Sequence, residues 1–338
     1  MNKPLAVAAT SVLALAVAGV VASLWQNEEP ERDGKPVRHW VRQLRSNNAS
    51  DQAQAVAVLA SMGEAAVPSM IKALQARDSR LKQALLRFSQ KGPLFHIRTV
   101  NRVRMRAGAG LVLRGIGPAA KKAVPALVET LGDSEEFVAD LAEHALVRIG
   151  MESVACLTGA LLHPSDQVRR KASVALGRLG DAARSSAPRL VLALRDRDAR
   201  VRATAASSLG KIGAVPNNTV PGLTGCLKDQ AGAVRENAAA SLAGFGEDAL
   251  EAVPPLTQAL ADSSDSVRVN AANALGKIGS AAKEGVPGLV GNLAHASAIV
   301  RASAALALGR IGPEASVAAP ALLVALGNPD ALTRRNAA

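Results

Sequence analysis

The sequence predicts an all-α protein: a right-handed α-solenoid of antiparallel helix pairs, about 33 residues to a pair and roughly eight pairs long, behind an N-terminal hydrophobic helix. Three registers carry this expectation. Glycine recurs at Gly180, Gly213, Gly246, Gly279 and Gly312, and proline at Pro188, Pro221, Pro254, Pro287 and Pro320. Val-Arg pairs begin at Val168, Val201, Val234, Val267 and Val300 with the same spacing. Gly117 with Pro125, and Gly150, add two more units, while Gly63 with Pro68 marks a first unit nearer the N-terminus.

Taken from the start, residues 5–24 carry no charge, with Lys3 before them and Glu28, Glu29 and Glu31 after. At about 1.5 Å per helical residue this stretch matches a bilayer core of roughly 30 Å. The charge order puts everything after Trp25 outside the cytoplasm. Residues 1–25 therefore read as a signal-anchor or signal peptide, with small-residue cleavage sites at Ala16-Val17-Ala18 and Val20-Val21-Ala22. The array is expected to be anchored in the inner membrane and to face outward, or to be exported after cleavage. Residues 26–49 read as a polar linker and lead-in, 50–79 as the first repeat, 80–103 as a basic insertion, and 104–338 as the main array. The last six residues align with 300–305, so the final repeat reads as incomplete, as in a fragment.

Each unit divides into two helices. Val253, Leu256 and Leu260 mark the buried stripe of one; Val267, Ala271, Ala274, Leu275 and Ile278 mark the other. The glycine column falls where a left-handed residue ends the second helix, and the proline column where a missing N–H costs nothing at the start of the first. Ser165, Asp198, Ser264, Ser297 and Asp330 share the position expected to cap the second helix. Only six aromatic residues, with no Tyr, suit thin stacked layers of Ala and Leu better than one thick core. Cys156 and Cys226 fall two units apart, too far for a disulfide.

These columns resemble HEAT repeats, in particular the short bacterial class similar to the repeats of phycobilin lyases. That signature runs Pro, then an acid, then Arg, and appears here as Pro188, Asp196, Arg202; Pro221, Asp229, Arg235; and Pro254, Asp262, Arg268. His295 and Asn328 replace the acid in later units. Gly34-Lys35-Pro36-Val37-Arg38-His39-Trp40-Val41 is similar to a lead-in ahead of many bacterial arrays. The resemblance implies a solenoid and, as a rule, a scaffold, since fold alone does not assign an activity. It also admits a phycobilin-lyase-like enzyme as an alternative, which an exported location disfavours.

The net charge of +12 is local, because eleven Lys or Arg face one acid, Asp78, between Lys72 and Arg114. Within the insertion Leu81, Ala84, Leu85 and Phe88 form an apolar stripe, while Arg80, Lys82, Arg87 and Lys91 lie on other faces. Gly92-Pro93 breaks the pattern before Arg98, Arg102, Arg104 and Arg106. Such a segment either decorates the first repeat, lies on anionic headgroups, or meets an anionic polymer or protein. Nucleic acid is disfavoured, because few aromatic side chains are available for base stacking. The regular arginines from Arg169 to Arg301 read as partners of the preceding turn's acid, and Arg148, Arg178, Lys211, Lys277 and Arg310 as complements to helix C-termini.

No catalytic set emerges. His39, His96, His144, His163 and His295 are scattered, and the Gly-Lys pairs at 210–211 and 276–277 lack the Ser or Thr of a phosphate loop. No cofactor or metal is expected. The expected function is a non-catalytic protein-protein interaction scaffold of the bacterial cell envelope. Its contacts would come from the basic positions above and from Asn237, Asn270 and Ser303 on the second helices. Its partner would be a protein or, alternatively, an anionic membrane surface or polymer bound by the insertion.

Overall fold

The computed structural model describes residues 29–76, 102–213 and 215–338. The stretch 5–24 and most of the basic insertion, including Arg80, Lys82, Arg87, Lys91 and Arg98, lie outside the described residues. Among those described, no single helix is long and apolar enough to cross a membrane.

The chain enters through a two-stranded hairpin, β1 (Glu31–Arg32) and β2 (Lys35–Pro36), where part of the polar linker was expected. Its turn is Asp33-Gly34, with φ of 55° and 68°, the positive values that Asp tolerates and Gly favours. Helix α1 (Val37–Gln43) follows and buries Val37 and Trp40. The Trp40 indole N–H donates to the Arg32 carbonyl at 3.4 Å, and Lys35 Nζ lies 5.2 Å from the ring centroid, so the hairpin is tied to α1 through this one side chain. Helix α2 (Ala49–Ser61) then packs on α1. Together they form a helix pair.

The second pair joins α3 (Val67–Leu74) to α4 (Arg102–Ile116). In sequence, the basic insertion falls between these two helices. The pairs that follow are α5 (Val124–Thr130) with α6 (Glu136–Ile149), α7 (Val154–Ala160) with α8 (Asp166–Leu179), and α9 (Ala187–Ala193) with α10 (Ala199–Lys211). Next come α11 (Pro216–Cys226) with α12 (Gly232–Phe245), α13 (Val253–Ala259) with α14 (Asp265–Ile278), and α15 (Val286–Asn292) with α16 (Ala298–Ile311). The pair α17 (Ala319–Ala325) and α18 (Ala331–Ala337) completes nine pairs among the described residues, one more than expected.

Each second helix from α2 to α16 is followed by a column glycine. Gly180 has φ 60° and ψ −136°, a backbone region that mirrors the extended one and that a Cβ would obstruct. The turn therefore differs from the left-handed helical end that was expected. A 3-10 segment such as Gly180–Ser186 links it to the next first helix, which carries Pro in its first turn. The α11 unit departs from this rule. Pro216 pushes Val215 to an extended conformation and starts the helix early, so Pro221 lies inside α11.

Two leucine columns form the core. Leu190, Leu223, Leu256 and Leu289 on the first helices are fully buried, as are Leu209, Leu242, Leu275 and Leu308 on the second, at 1% exposure or less. Each contributes about 2 kcal/mol of apolar burial, which a short helix cannot gain alone. The second helices approach one another through their backbones. A Cβ on Gly177 would lie 3.0 Å from Ser208 Cα, and one on Gly276 would lie 2.9 Å from Ala307 Cα. The first helices meet through side-chain tips instead, as where Gly222 faces Leu194 Cδ1. A stack with unequal layer spacing bends toward the tighter layer, so the second helices form its inner side.

Candidate binding surface

The arginine column is a ladder that joins successive turns. Arg169 Nε lies 2.6 Å from Asp196 Oδ2 and its Nη2 lies 2.8 Å from Oδ1. The same two-pronged grip joins Arg202 to Asp229 at 2.7 and 2.9 Å, and Arg235 to Asp262 at 2.6 and 2.9 Å. The acid comes from the following turn, not the preceding one expected from sequence. The preceding turn supplies backbone carbonyls, since Arg202 Nη1 donates to Asp196 O at 2.8 Å. Burial alone would raise the Asp196 carboxyl, but Arg169 and the Asp198 N–H hold it below the usual range. Hydrogen bonds from Arg202 and Arg235 lower Asp229 and Asp262 in the same way.

Arg106 belongs to this ladder, which corrects its assignment to the basic binding cluster. Its side chain is buried against Asp133, with Nε 2.6 Å from Oδ2 and Nη2 3.0 Å from Oδ1. Its Nη1 also donates to Ala76 O at 3.2 Å. The residue therefore ties together the two ends of the insertion, at Ala76 and at α4, and is not offered to a partner.

Each acid in the column has a second task. Asp133, Asp196, Asp229 and Asp262 accept the backbone N–H two residues on, at 2.9–3.0 Å. His163 and His295 do the same through Nδ1, and Asn328 through Oδ1. The substitutions therefore keep the turn and lose only the carboxylate. Ser165, Ser264 and Ser297 make no side-chain cap bond, whereas Asp198 and Asp330 do. The turn acceptor just upstream supports the helix entry.

On the inner side, the polar column proposed as interface is partly used within the stack. Asn270 Nδ2 donates to Glu236 O on the neighbouring helix at 3.4 Å, and Asn237 Nδ2 to Ala233 O on its own helix at 2.9 Å. Ser303 is buried at 9% exposure, so it does not present a contact surface. Ala233 and Ala240 are exposed on α12, with Glu236 and Asn237 half-buried between them. Phe137 and Ile299 stand exposed at the starts of α6 and α16.

The N-terminal end adds a cluster of cations that sequence reasoning did not bring together. Arg38 and Arg42 from α1, Arg45 from the turn that follows it and Lys72 from α3 line a cleft of about 330 Å³ with Glu29 and Met105. The i, i+4 spacing of Arg38 and Arg42 was a legible signal of one face of α1. Arg104 donates to Ser46 O at 3.1 Å and to the Asn47 side chain, so it is partly engaged, while Arg102 is half-buried at the start of α4. Among the described residues no group of His, Cys, Asp and Glu could hold a metal ion.

Residues 157–243 and 220–295 match the profile of HEAT repeats, and 300–328 match the PBS lyase HEAT-like repeat. No curated protein matches the chain. Among solved structures it is similar to an engineered protein at 22% identity and a TM-score of 0.51, covering 90% of this chain and 87% of that one. It is also similar to Kap95p in its complex with RanGDP, at 15% identity and a TM-score of 0.58, covering 87% of this chain and 43% of that one. The Kap95:Nup1 complex gives 13% identity and a TM-score of 0.54 over 89% of this chain and 44% of that one. Likeness at such identities bears on fold alone. Repeat profiles, the proline-acid-arginine ladder and stacked helix pairs agree that this chain is a HEAT-repeat α-solenoid.

Proposed function

We propose that the array is a protein-binding scaffold of the bacterial cell envelope that receives its partner along the inner side of α6 to α16. The carrying observation is the division of labour among its polar groups. Arg169, Arg202 and Arg235 and the aspartates they grip are turned into the ladder at the turn edge. The row of second helices meanwhile runs on with exposed positions such as Phe137, Ala233, Ala240 and Ile299. A rigid stack with an open inner row suits a large, pre-formed interface. The Kap95p complexes with RanGDP and Nup1 are solenoids of this kind that hold proteins, which supports the reading. The uncharged stretch at 5–24 supports the envelope location.

A second reading rests on the cluster of Arg38, Arg42, Arg45 and Lys72 beside the neck of the basic insertion. Together they would attract an anionic membrane surface or polymer, each cation near the surface adding roughly 1 kcal/mol. Affinity purification of the full-length chain from detergent-solubilised envelopes separates the two. The scaffold reading expects a protein recovered in stoichiometric amount with the wild type and lost with Ala233→Arg/Ala240→Arg, whose circular dichroism is unchanged. Recovery of anionic lipid or polymer alone, lost with Arg38→Glu/Arg42→Glu, sinks the scaffold reading in favour of the second.

A further inference from the structure

Four rungs of the ladder carry a carboxylate, at Asp133, Asp196, Asp229 and Asp262, and three positions in that column do not. Two of those three have adapted. Where His163 stands, the matching arginine position holds Ala139. Where His295 stands, Arg268 has folded back, its Nε donating to Asp262 O at 2.6 Å and its Nη1 to Leu260 O and Asn292 Oδ1. The third has not adapted. Arg301 stays in the gripping pose, its Nη1 anchored on His295 O at 2.8 Å and Ala296 O at 2.7 Å, as Arg202 is on Asp196 O and Arg197 O. Ala325 stands where Asn292 serves Arg268, so no side-chain acceptor draws the guanidinium back.

The consequence is a buried Arg301 Nε with no hydrogen-bond partner. Asn328 occupies the position of the missing acid, and its Oδ1 is taken by the Asp330 N–H at 3.0 Å, which leaves its amide NH₂ as a further donor. Arg301 and Asn328 line a cleft of about 480 Å³ with Val290, Leu293, Ala321 and Val324. Donors without acceptors beside an apolar wall define a ligand chemistry. A carboxylate makes two parallel bonds to such a guanidinium fork, and the other rungs of this same chain show the geometry.

We infer that the cleft between α15 and α17 binds a carboxylate carried on a short apolar body, with Arg301 Nε and Nη2 taking the role they have toward aspartate in the other rungs. The inference does not depend on where the protein resides or on what fills the inner row. The carboxylate comes either from an Asp or Glu side chain of a protein segment or from a free small acid.

Two probes distinguish these sources on the full-length chain: isovalerate, and a fluorescein-labelled Leu-Asp-Leu peptide compared with its Leu-Asn-Leu counterpart. Binding is read by titration calorimetry and by fluorescence polarisation. The expected result is saturable binding of at least one acid near or below about 1 mM, and roughly tenfold or more weaker binding of the amide peptide. Asn328→Asp supplies the carboxylate from within, so it should abolish binding and raise the melting temperature. Arg301→Gln should abolish binding without that rise. Peptide binding alone assigns the site to a protein segment, and isovalerate binding to a free acid. Undiminished binding to Asn328→Asp overturns the inference, as does the absence of binding by either acid.

Discussion

Arg202 grips Asp229 with two nitrogens while its third donates to the carbonyl of Asp196, so a single guanidinium joins two successive turns of the stack. Asp229 lies 27 residues along the chain from Arg202, and both side chains are less than a fifth exposed. Arg202→Ala should leave a mostly buried carboxylate without its partner and destabilise the array by about 3 kcal/mol. Urea denaturation followed by circular dichroism would measure this. The exposed Lys122–Glu64 pair, at 2.8 Å, is the comparison, and Lys122→Ala should leave the midpoint unchanged.

The ladder also sets the response to acid. The carboxyls of Asp196, Asp229 and Asp262 are held below the ordinary value of 3.8 in the folded chain. Their stabilisation is therefore complete above that value and disappears as pH falls through the lower folded values. The melting temperature should be flat above about pH 5 and fall steeply below about pH 4. Asp229→Asn should melt lower at neutral pH and show a shallower acid slope; an unchanged slope would remove the ladder as its cause.

Close approach of the second helices makes glycine substitutions unequal. A Cβ on Gly210 would meet Ser241 Oγ at 2.5 Å and its Cα at 3.1 Å, so Gly210→Ala should cost about 1–3 kcal/mol through overpacking. A Cβ on Gly309 in α16 would meet nothing within 4 Å. Gly309→Ala should therefore stabilise the protein by about 0.5–1 kcal/mol, because alanine loses less backbone freedom in a helix. Thermal melts of the two variants side by side check both signs.

The two cysteines should differ in reactivity. Cys156 is exposed, whereas Cys226 is buried and burial pushes its thiol up to about 11. Iodoacetamide at pH 8 should label Cys156 in the native protein and reach Cys226 only after denaturation, as mass spectrometry of peptides would show. Equal labelling of both in the folded state would contradict the packing of α11.

Much of the fold was legible because the repeat is written in residues with strong local preferences. The glycine column marks positive φ, the prolines enter the first turns, and the leucines at helical spacing are buried where expected. The site was less legible. Arg106 looked like one more cation in a basic run, and the structure buries it against Asp133. Ser303 looked like a polar surface residue, and the close approach of neighbouring helices buries it.

The sequence by itself therefore determined the length of the repeat, its two-helix make-up and the glycines and prolines that punctuate most of its helices. These follow from backbone sterics and apolar spacing within a few residues. The tertiary structure alone decided which carboxylate each arginine meets, which asparagines are used within the stack and which guanidinium is left with an unpartnered nitrogen. Those outcomes depend on contacts between residues about one repeat apart, such as Arg235 with Asp262 and Asn270 with Glu236. Such contacts are set by how closely adjacent pairs stack, which residues along a single helix do not specify.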